Sequence, residues 1–202
     1  MDRKTHWETV YTQKNPMEVS WYQEAPTTSL TLIQKVGLNK DDRIIDVGGG
    51  ASTLVDQLIR LGFEDVTVLD LSAAALEKAK QRLGDLAKKV EWLEQDVTTY
   101  TPRQPFNLWH DRAVFHFLTD LNDRNRYIEV LKASLVPHGH VVLATFASDG
   151  PNKCSGLDVC RYSAESLQDA MGSSFHLVET RYETHHTPWN SEQRFIYAYF
   201  RN

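Results

Sequence analysis

The chain has 202 residues, 41% of them hydrophobic and 24% charged, with a formal net charge of −5. That suits one soluble globular core; it gives no overall basic surface for nucleic acid, and no apolar run is long enough to span a bilayer. Cys154 and Cys160 are too few for a disulfide framework, and Met1-Asp2-Arg3-Lys4 leads into no apolar signal-peptide stretch, so the expectation is a single cytoplasmic domain over 1–202 with neither membrane nor nucleic acid as partner.

Residues 1–25 hold Trp7, Tyr11, Trp21 and Tyr22 without a clear period and read as irregular, part of a cap segment over 1–30 ahead of a core over 40–202. Residues 27–37 place Leu30, Ile33 and Val36 on one face, which predicts a helix stopped by Gly37. Arg43 to Val47 is a short apolar strand running into Gly48-Gly49-Gly50. A helix over about Ser52–Leu61 follows, with Leu54, Val55, Leu58 and Ile59 inward. Asp65 to Asp70 is the second strand, and Ser72 caps a helix that reaches about Leu83.

The third strand covers Val90–Leu93 and ends near Asp96; the fourth covers Phe106–Asp111. Tyr127–Leu135 reads as a helix closed by Pro137-His138-Gly139. His140–Phe146 is a fifth strand, apolar at its centre as in a sheet buried on both faces. Ser148–Arg161 is a loop of unusual length, which suggests function. A helix over Ala164–Met171 and strands over Phe175–Tyr182 and Arg194–Phe200 complete the chain, the last two joined by a His185–Glu192 loop and expected antiparallel. This rhythm predicts an α/β, three-layer, Rossmann-like fold with seven strands, mostly parallel, the last antiparallel.

The strongest local signal is Ile44-Ile45-Asp46-Val47-Gly48-Gly49-Gly50-Ala51-Ser52, between a strand and a helix. Glycine there lets the backbone turn sharply and approach a ligand, in the crevice where such sheets bind them. Asp70, followed by Leu71, ends the second strand, where a carboxylate can accept from both hydroxyls of a ribose. Asp96 ends the third and could accept from an adenine amino group, with Val97 against the ring. Taken singly, each feature suits a tight turn or a solvated strand end. A nicotinamide site is the rival from the same topology, but Thr53 stands at its third small position and no room is left for a hydride-acceptor domain.

Asp46 to Ser52, Asp70 and Asp96-Val97 together resemble the successive cofactor motifs of class I methyltransferases. The resemblance covers about 40–202. It implies S-adenosylmethionine as donor and S-adenosylhomocysteine as product, with Asp46, Gly48, Gly49, Gly50, Asp70, Leu71, Asp96 and Val97 at the donor. Ser52 departs from the family's third glycine.

Methyl transfer from such a donor requires positioning and desolvation of the acceptor, and a base only if the acceptor carries a proton. The fourth strand's end faces the methyl group in this family, which makes Asp111, His110 and His116 the catalytic candidates, Asp111 also as a holder of the donor's amino group. A packed core histidine is the plainer reading of His116, beside Phe115 and Phe117. Asp111-Arg112 is similar to the Asp-Lys-Gly segment of the lysine methyltransferases of translation elongation factors, although Ala113-Val114 replaces Gly-Thr. The segment His6–Tyr11 and Val19–Gln23 also resembles that branch, and uncharacterised bacterial relatives, where it folds over the donor. Trp21 would then face the sulfonium, a cation–π contact of ~0.5–2 kcal/mol; alternatively it only pins the arm to the domain.

The Ser148–Leu157 and Thr184–Trp189 loops are candidates for a substrate lid. Cys154, Cys160, His185 and His186 could in principle bind a metalloid such as arsenic, although Cys-x5-Cys is not a usual zinc spacing, and no metal site is expected. Methylation of a small molecule on O, N or S leads, because a compact core with a short cap and a long lid suits an enclosed acceptor. Protein lysine methylation is the alternative; metalloid methylation and a non-catalytic donor-binding module follow. RNA methylation lacks both a basic extension and an Asn-Pro-Pro-Tyr type tetrapeptide.

Overall fold

A computed structural model describes residues 2–202. Its sheet has the strand order β3-β2-β1-β4-β5-β9-β8. The first five strands are β1 (Ile44–Val47), β2 (Val66–Asp70), β3 (Val90–Glu94), β4 (Phe106–Arg112) and β5 (Leu135–Phe146). They pair in parallel. The strand β9 (Glu192–Arg201) is antiparallel both to β5 and to β8 (His176–His186). The last strand is therefore the reversed one.

The chain winds one way from β1 to β2 and β3 and returns to the other side of β1 for β4 and β5. At that switch the connections leave in opposite directions and open a crevice at the strands' carboxyl ends. Consecutive β1 residues feed separate cores, as strand alternation requires. Ile44 packs with Leu32, Leu54 and Val68; Ile45 packs with Trp109, Tyr127 and Leu131.

Helices α1 (Arg3–Gln13), α2 (Thr27–Val36), α3 (Leu54–Arg60), α4 (Ala73–Leu83), α5 (Leu121–Ser134) and α6 (Ala164–Met171) complete the molecule. The irregular reading of residues 1–25 is corrected by α1. That helix has no apolar stripe to give a periodic signal. Its Asp2 cap accepts from the Thr5 amide at 3.1 Å, and its polar side chains reach β3 and α4. Helix α5 starts at Leu121 rather than Tyr127, because Asp120 caps it through the Asn122 amide at 2.7 Å.

Residues 137–139, expected to close a helix, fall within β5, at an irregularity where the register with β4 shifts and His138 has a φ of +63°. The 148–161 stretch folds into a small hairpin of β6 (Lys153–Cys154) and β7 (Leu157–Asp158). The last two strands run on until only 187–191 turns between them. No helix among the described residues is long and apolar enough to cross a membrane.

Candidate active site

The loop after β1 sits in the crevice, and Gly48 shows why side chains are excluded there. Its φ of +67° is strained for any residue with a Cβ, and a Cβ would meet Val114 Cγ2 at 2.0 Å. A Cβ on Gly50 would lie 2.4 Å from Asp70 Oδ2. The loop's backbone and the Asp70 carboxylate are thus packed against each other.

Asp70 is 7% exposed, and its Oδ1 accepts from the Ser72 amide at 2.8 Å. Burial pushes its carboxyl up to about 7, with the nearby Asp46 adding to the rise and backbone donors at Ser72, Gly50 and Leu71 opposing it. Asp96 Oδ1 accepts from the Thr98 amide and hydroxyl at 2.8 and 2.7 Å, and its Oδ2 lies 3.5 Å from Arg3 Nη2.

A first cavity, with about 750 Å³ of empty space including its open mouth, brings together Trp21, Gly48, Asp70, Leu71, Asp96 and Val97. That size suits a small-molecule site, roughly 300–1,000 Å³. Helix α1 forms its cover, with Arg3, Trp7 and Tyr11 in the wall. The Trp7 and Trp21 rings meet edge to face at 5.5 Å, and Trp21 Nε1 donates to the Tyr11 hydroxyl at 3.1 Å. Glu8 fastens α1 to the start of α4, accepting from the Ser72 hydroxyl at 2.7 Å and the Ala74 amide at 3.2 Å. Arg3 also lies 3.2 Å from Asp123.

A second cavity shares Trp21, Gly48 and Arg112 with the first and adds Asp46, Gly49 and His110. His110 is wedged between Asp46 Oδ1 at 2.7 Å and Ser29 Oγ at 2.9 Å. Asp46 Oδ2 is buried and has no hydrogen-bond partner.

Strand alternation divides the β4 candidates. His110 and Arg112 face the cavities, whereas Asp111 faces α5. Asp111 is 0% exposed; its Oδ2 accepts from the Tyr127 hydroxyl at 2.7 Å and the Phe115 amide at 3.1 Å, and its Oδ1 from the Val114 amide at 2.9 Å. It lines neither cavity. The expectation that Asp111 meets donor or acceptor is therefore corrected: its oxygens organise the turn after β4. Burial pushes its carboxyl up to about 6 against those hydrogen bonds.

His116 likewise lines neither cavity. It is fully buried between Phe117 and Phe146, and its Nδ1 accepts from the Phe146 amide at 3.2 Å. Burial, with Arg112's charge adding, pushes its imidazole down to about 3. The core-histidine reading of this residue is the one the packing supports.

The two lid loops meet at Ser20. His185 Nε2 contacts the Ser20 carbonyl at 2.7 Å, and Cys154 Sγ lies 3.9 Å from the Ser20 hydroxyl. Cys154 is in the first cavity's wall, but Cys160 lies against Arg124. Among the described residues no three His, Cys, Asp or Glu side chains cluster as a metal site, so the four metalloid candidates are not assembled.

Sequence reasoning missed Arg3, Glu8 and Arg112. The first two lie on a helix without a periodic signal. The third was readable: once His110 faces the crevice, a residue two further along β4 must do so too.

A family model described as a methyltransferase domain matches residues 44–139. Malonyl-[acyl-carrier protein] O-methyltransferase 1 of Ilyobacter polytropus is 27% identical over 113 residues, 55% of this chain and 41% of that protein. EEF1A lysine methyltransferase 2 of Homo sapiens is 20% identical over 194 residues, 87% of this chain and 75% of that protein. The chain thus spans less than half of the first relative's length and three quarters of the second's. The N-methyltransferase NodS from Bradyrhizobium japonicum, solved with S-adenosyl-l-homocysteine, shares the fold with a TM-score of 0.71 at 17% identity, covering 100% of this chain and 99% of that one.

Proposed function

We propose that this chain, a class I S-adenosylmethionine-dependent methyltransferase by its domain and fold, methylates an O, N or S atom of a small molecule. The observation that carries the reading is the first cavity. It joins the glycine loop to the acidic ends of β2 and β3 beneath one helical cover.

The residues fit the donor. The glycine loop admits no Cβ against Val114, Asp46 and Asp70, and Asp46 Oδ2 is a buried acceptor still without a donor. Asp70 would accept from the ribose hydroxyls, and Asp96 and Val97 would hold the adenine. Gly48 and Gly49 would give backbone access and Leu71 would pack beside the nucleoside, whereas Gly50 lines neither cavity and packs against Asp70 and Ala75. When bound, the donor supplies a methyl group already activated on a sulfonium sulfur. Trp7, Tyr11 and Trp21 exclude water and offer aromatic faces to that charge.

Asp111 and His116 are committed to packing, which leaves positioning as the chain's main contribution to rate. His110, gripped by Asp46 and Ser29, keeps β1 and β4 in register at the crevice. The hairpin of β6 and β7 and the turn after β8 form the rim over the acceptor. Free Cys154 and Cys160 suit a reducing cytoplasm. A protein lysine acceptor is the second reading, favoured by the length of the match to the human enzyme.

Labelled donor incubated with the protein and a cell extract, then split into protein and small-molecule fractions, tests the reading. Label in the small-molecule fraction is the expected result. Label confined to protein would establish the lysine reading, and the absence of S-adenosylhomocysteine binding in calorimetry would refute both.

A further inference from the structure

Arg112 is a largely covered cation in the wall of both cavities, with one guanidinium nitrogen that has no hydrogen-bond partner among the described residues. Its side chain is 11% exposed. Nε donates to the Tyr197 hydroxyl at 2.9 Å and Nη1 to the Trp21 carbonyl at 3.0 Å. Nη2 is buried and has no hydrogen-bond partner among the described residues. A guanidinium has five N–H groups, so these two bonds leave most of the fork free.

The carboxylate of Glu183 does not complete it. Glu183 Oε1 stands 4.0 Å from Nη2 and already accepts from Gln23 Nε2 at 2.9 Å and the Tyr197 hydroxyl at 3.1 Å. Its other oxygen takes the Thr28 hydroxyl. Glu183 is thereby held beyond hydrogen-bonding reach of Nη2. The Phe195 ring lies 4.5 Å from the guanidinium and covers one face, which leaves the other face and the unpartnered edge of the fork for an additional partner.

Arg112 forms part of both cavities. A buried charge without its full set of partners is costly, and a coplanar carboxylate accepts two parallel N–H bonds from a guanidinium. Arg3, the other arginine of the first cavity, is engaged by Asp96 and Asp123. One guanidinium whose own carboxylate stands 4.0 Å off matches a carboxylate better than a phosphate, whose two charges call for a second cation. The donor brings a further positive charge to the same space, which an anion offsets.

We propose that Arg112 binds a carboxylate of the methyl acceptor, so that the acceptor is a small carboxylic acid. The assignment rests on the methyltransferase reading for the word acceptor, but the anion site stands on the Arg112 geometry alone. The donor's own carboxylate has the same chemistry, and the test separates the two.

Wild type, Arg112→Gln and Arg112→Lys are titrated by calorimetry with S-adenosylhomocysteine and with 5′-methylthioadenosine, which lacks the amino-acid moiety. Acetate, succinate and benzoate, each against its amide, are titrated into free and S-adenosylhomocysteine-loaded protein. Melting curves verify folding, and Arg112→Lys keeps the charge while losing the planar fork, should the Gln variant fail to fold. At least one acid binds wild type in preference to its amide, and both variants weaken that binding about tenfold or more. Both nucleosides stay within about threefold.

Acids that bind no better than amides, or bind the variants as well as wild type, overturn the proposal. A tenfold loss of S-adenosylhomocysteine affinity with 5′-methylthioadenosine unchanged assigns Arg112 to the donor's carboxylate and also overturns it. Wild type that fails to bind S-adenosylhomocysteine refutes the methyltransferase reading, while the acid titrations of the free protein still decide the anion site.

Discussion

The Tyr127 hydroxyl donates to Asp111 Oδ2 over 2.7 Å, and Trp109 Nε1 donates to the same hydroxyl over 2.9 Å. This buried relay ties β4 to α5 in the core whose Val47, Val97 and Leu118 also reach the wall of the first cavity. Asp111→Asn puts an amide where the hydroxyl and the Phe115 amide both donate, leaving a donor unsatisfied at about 1–3 kcal/mol. The expected outcome is a lower denaturation midpoint with S-adenosylhomocysteine affinity within about twofold of wild type. A variant of unchanged stability and collapsed turnover would return Asp111 to the chemistry.

Asp70 carries the donor assignment in a form that pH can read. Its carboxyl is raised to about 7 by burial, and hydroxyl donors favour its charged form. Ligand binding therefore releases a proton below that value, and S-adenosylhomocysteine affinity should fall as pH drops from 8 to 6. Asp70→Asn should weaken binding by ~1–3 kcal/mol at pH 8 and remove the pH dependence. Calorimetry across that range measures both.

His116 has the opposite linkage. Its folded value of about 3 lies below the ordinary imidazole value, so the unfolded chain binds the extra proton in between. Its contribution to stability is complete above about pH 6.5 and is lost on acidification towards pH 3. That loss approaches about 1.4 kcal/mol per pH unit for one proton. In His116→Gln, stability should fall less steeply between pH 6.5 and 4 in chemical denaturation, while the pH profile of turnover keeps its shape.

Glu8 joins the cover to the start of α4. Glu8→Ala removes an acceptor from the Ser72 hydroxyl and Ala74 amide and a negative charge at a helix N-terminus, worth ~0.3–1 kcal/mol. Faster hydrogen exchange across residues 3–13 and a several-fold faster release of S-adenosylhomocysteine are expected. Unchanged release kinetics would show that α1 does not gate the first cavity.

The fold was readable because its signals are local. Apolar strands, glycine at the turn after β1 and apolar spacing in α2, α3 and α4 each express a short-range rule. In order along the chain they demand a parallel sheet with a switch point. The same locality exposed Gly48, Asp70 and Asp96, since each stands at a strand end whose direction topology fixes.

Helix α1 escaped because polar contacts to Ser72, Glu94 and Asp123 hold it, and those partners are distant in sequence. Position at the end of β4 does not reveal that both Asp111 oxygens are taken by Tyr127, Val114 and Phe115.

The sequence by itself determined the sheet, the glycine loop and the acids at the ends of β2 and β3, because backbone sterics and strand periodicity act over a few residues. Only the tertiary structure decided that Asp111 and His116 are packed in the core and that Arg112 stands in the cavity wall with one nitrogen left without a hydrogen-bond partner. Burial and hydrogen-bond partnership are properties of what surrounds a side chain, and much of those surroundings comes from Tyr127 of α5, Phe146 of β5 and Tyr197 of β9, which the fold brings in from elsewhere in the chain.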